Sequence, residues 1–152
     1  MDSRGAARMV DVGAKPETER VARASARVRM KKETLALLAS RKLAKGDALA
    51  VARLAGIQAA KQTSLLIPLA HPLALTSVQV SLELERRPPS VAIEAQVRTR
   101  SRTGVEMEAL VAAATAALAL YDMCKAVDRA MRIEHVQLEY KAGGKSGVFQ
   151  RK

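Results

Sequence analysis

The chain has 152 residues, 49% of them hydrophobic, and its 26 lysines and arginines outnumber the 15 acidic residues to give a formal net charge of +11. A single domain of this length can bury roughly 68–70% of its unfolded surface, and the positive charge favours an anionic partner: nucleic acid, a phosphorylated small molecule or anionic lipid. The single cysteine excludes an intrachain disulfide, and two tyrosines with one phenylalanine are too few for a base-stacking platform.

The cellular compartment can also be predicted from composition. The first twelve residues contain no apolar stretch typical of a signal peptide, and no run of about 18 apolar residues without charges predicts a membrane span. We therefore expect a cytoplasmic protein that forms one domain over residues 1–152, with a mobile start at residues 1–8.

The first elements are a strand and two helices. Strict alternation over residues 22–30 predicts a half-buried strand with a strongly basic outer face. Residues 31–43 and 48–60 predict helices, the second of them capped by Asp47. Lys45 lies just before this second helix, where the helix dipole disfavours a cation, so either another group requires it there or it lies by chance on a solvated loop.

An apolar loop follows at residues 66–73, with two prolines and His71. Pro72 restricts the residue before it and favours an extended backbone at His71. This imidazole is either part of a pocket wall or a hydrogen-bonded core side chain, and the sequence alone leaves both interpretations open.

The remaining elements complete a recognisable order. Alternation at 78–84 and 91–97 around a proline-containing turn predicts a hairpin, residues 105 to about 129–132 predict a long helix, and 136–140 predict a last strand before a flexible tail at 142–152. This order predicts an α+β, ferredoxin-like βαββαβ fold with helices on one face of an antiparallel sheet. We expect the uncovered sheet face to be partly apolar or small and to pack against another copy.

The long helix carries charges at both ends of an Ala-rich apolar segment. Glu106 and Glu108 open it, and Asp122 and Lys125 close it. Buried charges are costly unless they are paired or used, and Asp122 and Lys125 are neighbours at i and i+3. They are either a catalytic pair or an ordinary ion pair.

Two other motifs are weaker. The Gly144-Lys145-Ser146 tripeptide resembles the end of a phosphate-binding P-loop, but that motif needs a glycine where this chain has Glu139. Lys141 and Lys145 could still hold a phosphate beside free backbone N–H groups. His71, His135 and Cys124 lack metal-ligand spacing, so no metal site is predicted.

Seven segments in register resemble the MoaC family, the cyclic pyranopterin monophosphate synthases of molybdenum cofactor biosynthesis. They are MVDV at 9–12, KGD at 45–47, AGIQAAK at 55–61, LIPLAHPL at 66–73, TGVEMEAL at 103–110, YDMCKAV at 121–127 and GGKSG at 143–147. The resemblance implies a lyase that converts a cyclised dihydroguanosine triphosphate to cyclic pyranopterin monophosphate and releases pyrophosphate. It also implies a hexamer, a trimer of dimers with its pocket at a subunit interface. No redox or metal cofactor is implied for the chemistry, although Mg²⁺ can accompany the triphosphate.

The family's site positions map onto named residues of this chain. The resemblance implies catalysis by Asp122, Lys125 and Lys45, and substrate binding by Arg20, Lys61, Leu69, Ala70, His71, Glu106, Met107, Glu108, Lys141 and Lys145. Lys45 could act as a general acid if burial and nearby cations lower its pKa. Proton transfers suit the Asp and Lys groups, and expulsion of pyrophosphate suits the cations. The family usually has a cysteine where this chain has Ala70, so a thiol there cannot be required.

Two other classes of protein remain as alternatives. A basic RNA-binding module shares this fold order, but such modules expose aromatic residues on their central strands, where this chain has Val, Leu, Ile and Ala. A non-catalytic oligomeric scaffold would not need Lys45, Asp122 and Lys125 together.

Overall fold

The computed structural model describes residues 5–152, so half of the segment predicted to be mobile, residues 1–4 of 1–8, lies outside the described residues. The elements are β1 (Thr18–Arg29), α1 (Lys32–Ser40), α2 (Ala48–Lys61), α3 (Thr63–Leu66), β2 (Leu75–Arg86), β3 (Pro89–Ser101), α4 (Glu106–Cys124), β4 (Arg132–Ala142) and β5 (Phe149–Gln150). The strands form one antiparallel sheet in the order β2-β3-β1-β4-β5. The predicted α+β, ferredoxin-like fold is confirmed.

The core lies between the sheet and the helices and is built largely from small side chains. Every second residue is buried from Ala22 to Val28 of β1 and from Val91 to Thr99 of β3, as the alternation predicts. Helix α4 lies across these strands with five fully buried alanines: Ala109, Ala112, Ala113, Ala116 and Ala117. Helix α2 approaches α4 closely at Gly56, where a Cβ would lie 2.9 Å from the carbonyl oxygen of Ala112. Small residues at this crossing therefore set the thickness of the helix layer.

Helix α4 is long and apolar enough to resemble a membrane span, at 19 residues and a mean hydropathy of 1.4. Within the described part of the chain it is the one helix with these properties. However, 56% of its most apolar window is buried inside the fold, as expected of a central core helix.

Helix α4 ends at Cys124, several residues before the predicted end at 129–132. The chain turns here because the N–H groups of Val127 and Asp128 both donate to the Cys124 carbonyl. Asp128 then enters the core and accepts hydrogen bonds from Lys31 N at 2.9 Å and Thr34 Oγ1 at 3.1 Å. It thus caps α1 from a distant part of the chain, a role that local pattern could not reveal.

The segment predicted to be a flexible tail, 142–152, contains a short strand. After β4 the chain reverses through Gly143 and Gly144, both at positive φ, and β5 pairs with Tyr140 and Lys141. The Arg151 side chain donates from Nε to the Leu138 carbonyl at 2.8 Å. The glycines permit this reversal because they adopt left-handed backbone angles without steric cost.

The uncovered sheet face, predicted to be partly apolar or small, carries charged pairs beside small residues such as Ser25 and Ala92. Arg23 pairs with Glu94 at 3.5 Å and Arg27 with Glu85 at 3.1 Å. The Ser25 hydroxyl donates to Glu139.

Strand β4 does not alternate as predicted. Its pairing with β1 shifts register twice, and His135 has a φ of 55°. As a result Leu138 packs on the core, Val136 is exposed, and Tyr140 lies opposite Arg23, whose guanidinium is 5.8 Å from the ring centre. The shifts are β-bulges, which local alternation cannot predict.

Candidate active site

Three charged side chains meet at the C-terminal end of α4. The Nζ of Lys45 lies 3.0 Å from both the carbonyl oxygen and the carboxylate Oδ2 of Asp122. The Nζ of Lys125 lies 2.6 Å from Oδ1 of the same carboxylate. Lys45 reaches this point from the loop between α1 and α2. Its position before α2 is unfavourable for the dipole of that helix, and its contacts with the carboxylate and the helix-end carbonyl of Asp122 explain why a lysine lies there.

The two lysines change the chemistry of Asp122. Hydrogen bonds from Lys125, and then from Lys45, hold the pKa of Asp122 below its ordinary value. Asp122 is therefore a carboxylate at neutral pH, with an ammonium donor on each oxygen. About half of each side chain is exposed, so the cluster is open to a ligand.

A second group of predicted residues lies at the opposite end of α4, around a cavity of about 520 Å³ that we call the cup. The loop before β2 contributes Leu69, Ala70 and His71, and the start of α4 contributes Glu106, Met107 and Glu108. The N-terminal segment, residues 8–15, forms another wall through Arg8, Val10, Val12 and Lys15. The structure thus brings together six of the ten predicted substrate-binding residues.

Glu108 is the buried acid of the cup, with 4% of its surface exposed. Burial raises the pKa of Glu108, its own backbone N–H partly opposes this, and the nearby Glu106 adds to the increase. Glu106 folds back over Gly104, where a Cβ would lie 1.9 Å from Oε2, so only glycine allows this conformation. The floor of the cup therefore holds two carboxyl groups, one of them biased towards its neutral form.

A cationic cavity of about 610 Å³ adjoins the cup and shares Lys15, Thr103, Gly104 and Glu106 with it. Arg20 and Lys145, both predicted, line it together with Lys15 and Arg102, which sequence reasoning missed. The position of Arg102 immediately before the TGVEMEAL segment was the available signal. Four cations around one cavity suit a polyphosphate.

The glycine-rich segment after β4 holds these cations in place. A Cβ on Gly144 would lie 1.6 Å from Nη1 of Arg20, so this backbone packs directly against the guanidinium. Arg20 in turn donates to the carbonyls of Ser101 and Arg102, at 3.4 and 3.3 Å. Lys141 hydrogen-bonds Ser146 within the same segment, but it does not line the cationic cavity.

One chain does not bring all of the predicted residues together. Lys61 lines a separate cavity that meets the cup only at Leu73. Glu108 and Asp122 are 14 residues apart on one helix, which is about 21 Å along its axis at 1.5 Å per residue. The cup and the Lys45–Asp122–Lys125 cluster are therefore two separate half-sites in a single chain.

Other potential functions find little support. On the open sheet face Arg23 already lies over the ring of Tyr140, and the described residues of β1 and β3 place no aromatic side chain there, so this face does not resemble the stacking surface of an RNA-binding module. Cys124 is fully buried, and burial, with a smaller contribution from Asp128, raises the pKa of its thiol to about 11. It is thus unsuited to act as a nucleophile.

Known proteins resemble this chain over nearly its whole length. The model of the MoaC family matches residues 9–144. The chain is 59% identical over 151 residues to the cyclic pyranopterin monophosphate synthase of Thermomicrobium roseum, covering 99% of this chain and 91% of that protein. It is 57% identical to the enzyme of the same name from Pelotomaculum thermopropionicum, covering 100% and 89%, and 55% identical to that from Parvibaculum lavamentivorans, covering 100% and 95%.

Proposed function

This chain belongs to the MoaC family, and from that premise we propose that it is a cyclic pyranopterin monophosphate synthase of molybdenum cofactor biosynthesis. In this proposal it acts in the cytoplasm as a phosphorus–oxygen lyase. It converts a cyclised dihydroguanosine triphosphate to cyclic pyranopterin monophosphate and pyrophosphate. The reaction needs no resident cofactor in this scheme, and Mg²⁺ would arrive with the triphosphate.

The observation that carries the proposal is the Asp122 carboxylate held between two ammonium groups. Opening the purine-derived ring and closing the pterin both require protons to move between nitrogen, carbon and oxygen atoms of the substrate. Asp122 is ionised at neutral pH and can accept a proton, while Lys45 and Lys125 can donate. A surface ion pair would need only one lysine, whereas this cluster places a donor on each carboxylate oxygen.

The two cavities suit the two ends of the substrate. Glu106 and Glu108 face the cup, where carboxyl groups can hold the guanine-derived edge, and a neutral Glu108 can also donate a hydrogen bond. Arg20, Lys145, Lys15 and Arg102 surround the adjoining cavity, where cations would stabilise charge on the departing pyrophosphate. Because the cavities share a wall, one triphosphate can occupy both.

A second copy of the chain would complete the site. The exposed side of α4 is an apolar stripe between the two half-sites, with Met107 38% and Leu118 59% exposed and Val111 and Ala114 half-buried. If two α4 helices pack antiparallel about an axis between positions 114 and 115, position 107 faces 122 and position 111 faces 118. The cup of one chain then meets the Lys45–Asp122–Lys125 cluster of its partner.

This arrangement places the contact on the helix layer rather than on the sheet face. Exposed apolar residues continue from α4 onto α2, where Val51 is 44% and Leu54 57% exposed. Contiguous apolar surface of this kind is typical of a protein–protein interface. We propose a dimer of this kind as the catalytic unit, and the family resemblance extends it to a trimer of dimers.

The direct test is pyrophosphate release from the cyclised substrate by purified protein. We expect stoichiometric formation of pyrophosphate and cyclic pyranopterin monophosphate. GTP, which lacks the extra ring, is the matched control and should give neither product. An oligomeric protein that releases no pyrophosphate from the cyclised substrate would contradict the proposal. Tight binding to oligonucleotides that weakens steeply with salt would favour the RNA-binding alternative.

A further inference from the structure

The N-terminal segment, residues 8–15, lies across the cup and contacts His71. The carbonyl oxygen of Val10 is 2.9 Å from Nε2 of the His71 ring. Arg8, Val10, Val12 and Lys15 of this segment all line the cavity. The segment has no regular secondary structure, yet it supplies one wall of the cup and a direct contact to its imidazole.

This contact determines where the proton of the neutral imidazole lies. A backbone carbonyl can only accept a hydrogen bond, so Nε2 must be the protonated nitrogen. Nδ1 then carries the lone pair. Among residues 5–152, Nδ1 has no hydrogen-bond partner, so it is left to accept one from a group in the cup.

The segment has a defined shape that places Val10 above His71. Asp11 Oδ1 accepts a hydrogen bond from Gly13 N at 2.8 Å, and Lys15 N donates to the Val12 carbonyl at 3.0 Å. These bonds turn the chain between His71 and the start of β1. An Asp side chain that bonds the N–H two residues later is a common way to fix such a turn.

We propose that residues 8–15 are a positioning strap for catalysis. The Val10 carbonyl holds neutral His71 in its Nε2–H form, so that Nδ1 faces the substrate as a hydrogen-bond acceptor. Val10 acts through His71 and does not touch the reacting atoms. The inference deepens the proposed function, because it assigns a role to His71 in that site, but the tautomer can be measured without turnover.

The test combines two pairs of variants with nitrogen NMR. Deletion of residues 2–11 removes the Val10 carbonyl, while deletion of residues 2–5 keeps it and serves as the control. Asp11→Ala removes the turn and Asp11→Asn retains an acceptor for Gly13. The chain has only two histidines, so a His135→Asn background leaves His71 as the sole ¹⁵N imidazole signal.

The ring signals are compared at a pH where the imidazole is neutral. We expect Nε2–H to dominate in the full chain, in the 2–5 deletion and in Asp11→Asn, and both tautomers to appear in the 2–11 deletion and in Asp11→Ala. With substrate, the last two should lose about tenfold in kcat, since His71 is misoriented. KM should change little in Asp11→Ala, which retains Arg8 and the other cations of the two cavities.

Three outcomes would overturn the proposal. The first is an unchanged Nε2–H preference in the 2–11 deletion. The second is an unchanged Nε2–H preference in Asp11→Ala, and this variant decides the question if the deletion variant does not fold. The third is a full chain in which Nδ1–H dominates. If the tautomer behaves as expected but the full chain releases no pyrophosphate, the strap remains supported and the proposed function fails.

Discussion

The ammonium group of Lys45 contacts two chemically different oxygens of Asp122, the backbone carbonyl and the carboxylate Oδ2, each at 3.0 Å. The residues are 77 positions apart in the chain. One bond satisfies a helix-end carbonyl and the other neutralises a side chain, so the loop between α1 and α2 is tied to the end of α4. Both residues therefore belong to one half-site of one chain.

Asp122→Asn should lower kcat on the order of 100-fold or more, because the amide cannot accept a proton from the substrate. The fold should survive, since the side chain is half exposed. Thermal unfolding and the rate of pyrophosphate release check both expectations. A variant with near-normal turnover would remove Asp122 from the chemistry.

Lys45→Arg should abolish most activity although the charge is kept, because a guanidinium is a very poor proton donor at neutral pH. Lys42→Arg, in the same loop and exposed, is the control and should be near normal. The measurement is kcat for both variants. Full activity in Lys45→Arg would assign Lys45 to electrostatic stabilisation instead.

Mixing inactive chains tests the antiparallel dimer. Lys45→Ala and His71→Ala chains, unfolded and refolded together, should regain activity, because each mixed dimer contains one pocket with both lesions and one intact pocket. Lys45→Ala mixed with Asp122→Ala is the control and should stay inactive, since these residues lie in the same half-site. Mixed oligomers are confirmed by mass. Recovery in the control, or none in the first mixture, would reject this division of the site.

Gly144→Ala should raise KM for the triphosphate substrate several-fold, because a Cβ there would collide with the guanidinium of Arg20. Gly147→Ala is a matched control: its φ is also positive, at +65° against +72°, but no atom lies within 4 Å of the added Cβ. Both variants carry the backbone cost, and only Gly144→Ala displaces Arg20. Equal KM values in the two variants would show that Arg20 does not bind the phosphates.

Asp128→Ala should destabilise the fold by roughly 3 kcal/mol at neutral pH, since Lys31 N, Thr34 Oγ1 and Ala130 N all lose their acceptor. Burial alone would raise the pKa of Asp128, but these hydrogen bonds hold it below its ordinary value of 3.8. A lowered pKa means that the stabilisation is present above pH 3.8 and is lost as the pH falls through the folded-state pKa.

The difference in unfolding free energy between the wild type and Asp128→Ala should therefore shrink in acid. Urea unfolding at neutral pH and below pH 3.8 measures it. Arg129→Ala is the control, because it removes an exposed side chain from the same turn and keeps the carbonyl that accepts the Tyr121 hydroxyl. A difference that does not depend on pH would contradict the assignment of the stabilisation to the carboxylate.

Local sequence pattern predicted the elements whose structure depends mainly on residues close to them in the chain. The alternation in β1 and β3 and the alanines of α4 predict their structure because each depends on side chains two to four residues apart. The contacts of Lys45 with Asp122, of Asp128 with Thr34 and of Gly144 with Arg20 join distant segments, so no local pattern encodes them.

The residues that gather at each end of α4 were beyond the sequence. Helical phase places Glu108 and Asp122 at similar angles around α4, and the rise of about 21 Å over 14 residues already separates them, but the spacing does not show which distant segments join each of them. Likewise the Val10 carbonyl, as a backbone group, carries no residue-specific signal.

The short strand β5 has a consequence for how copies of this chain can assemble. A sheet edge with free N–H and C=O groups invites another chain to extend the sheet, which leads to open-ended aggregation. Here Phe149, Gln150 and the Arg151 side chain already use the backbone groups of residues 138–141. A second copy would have to displace them to join at that part of the β4 edge. Growth by strand addition is thereby blocked at that part of the edge.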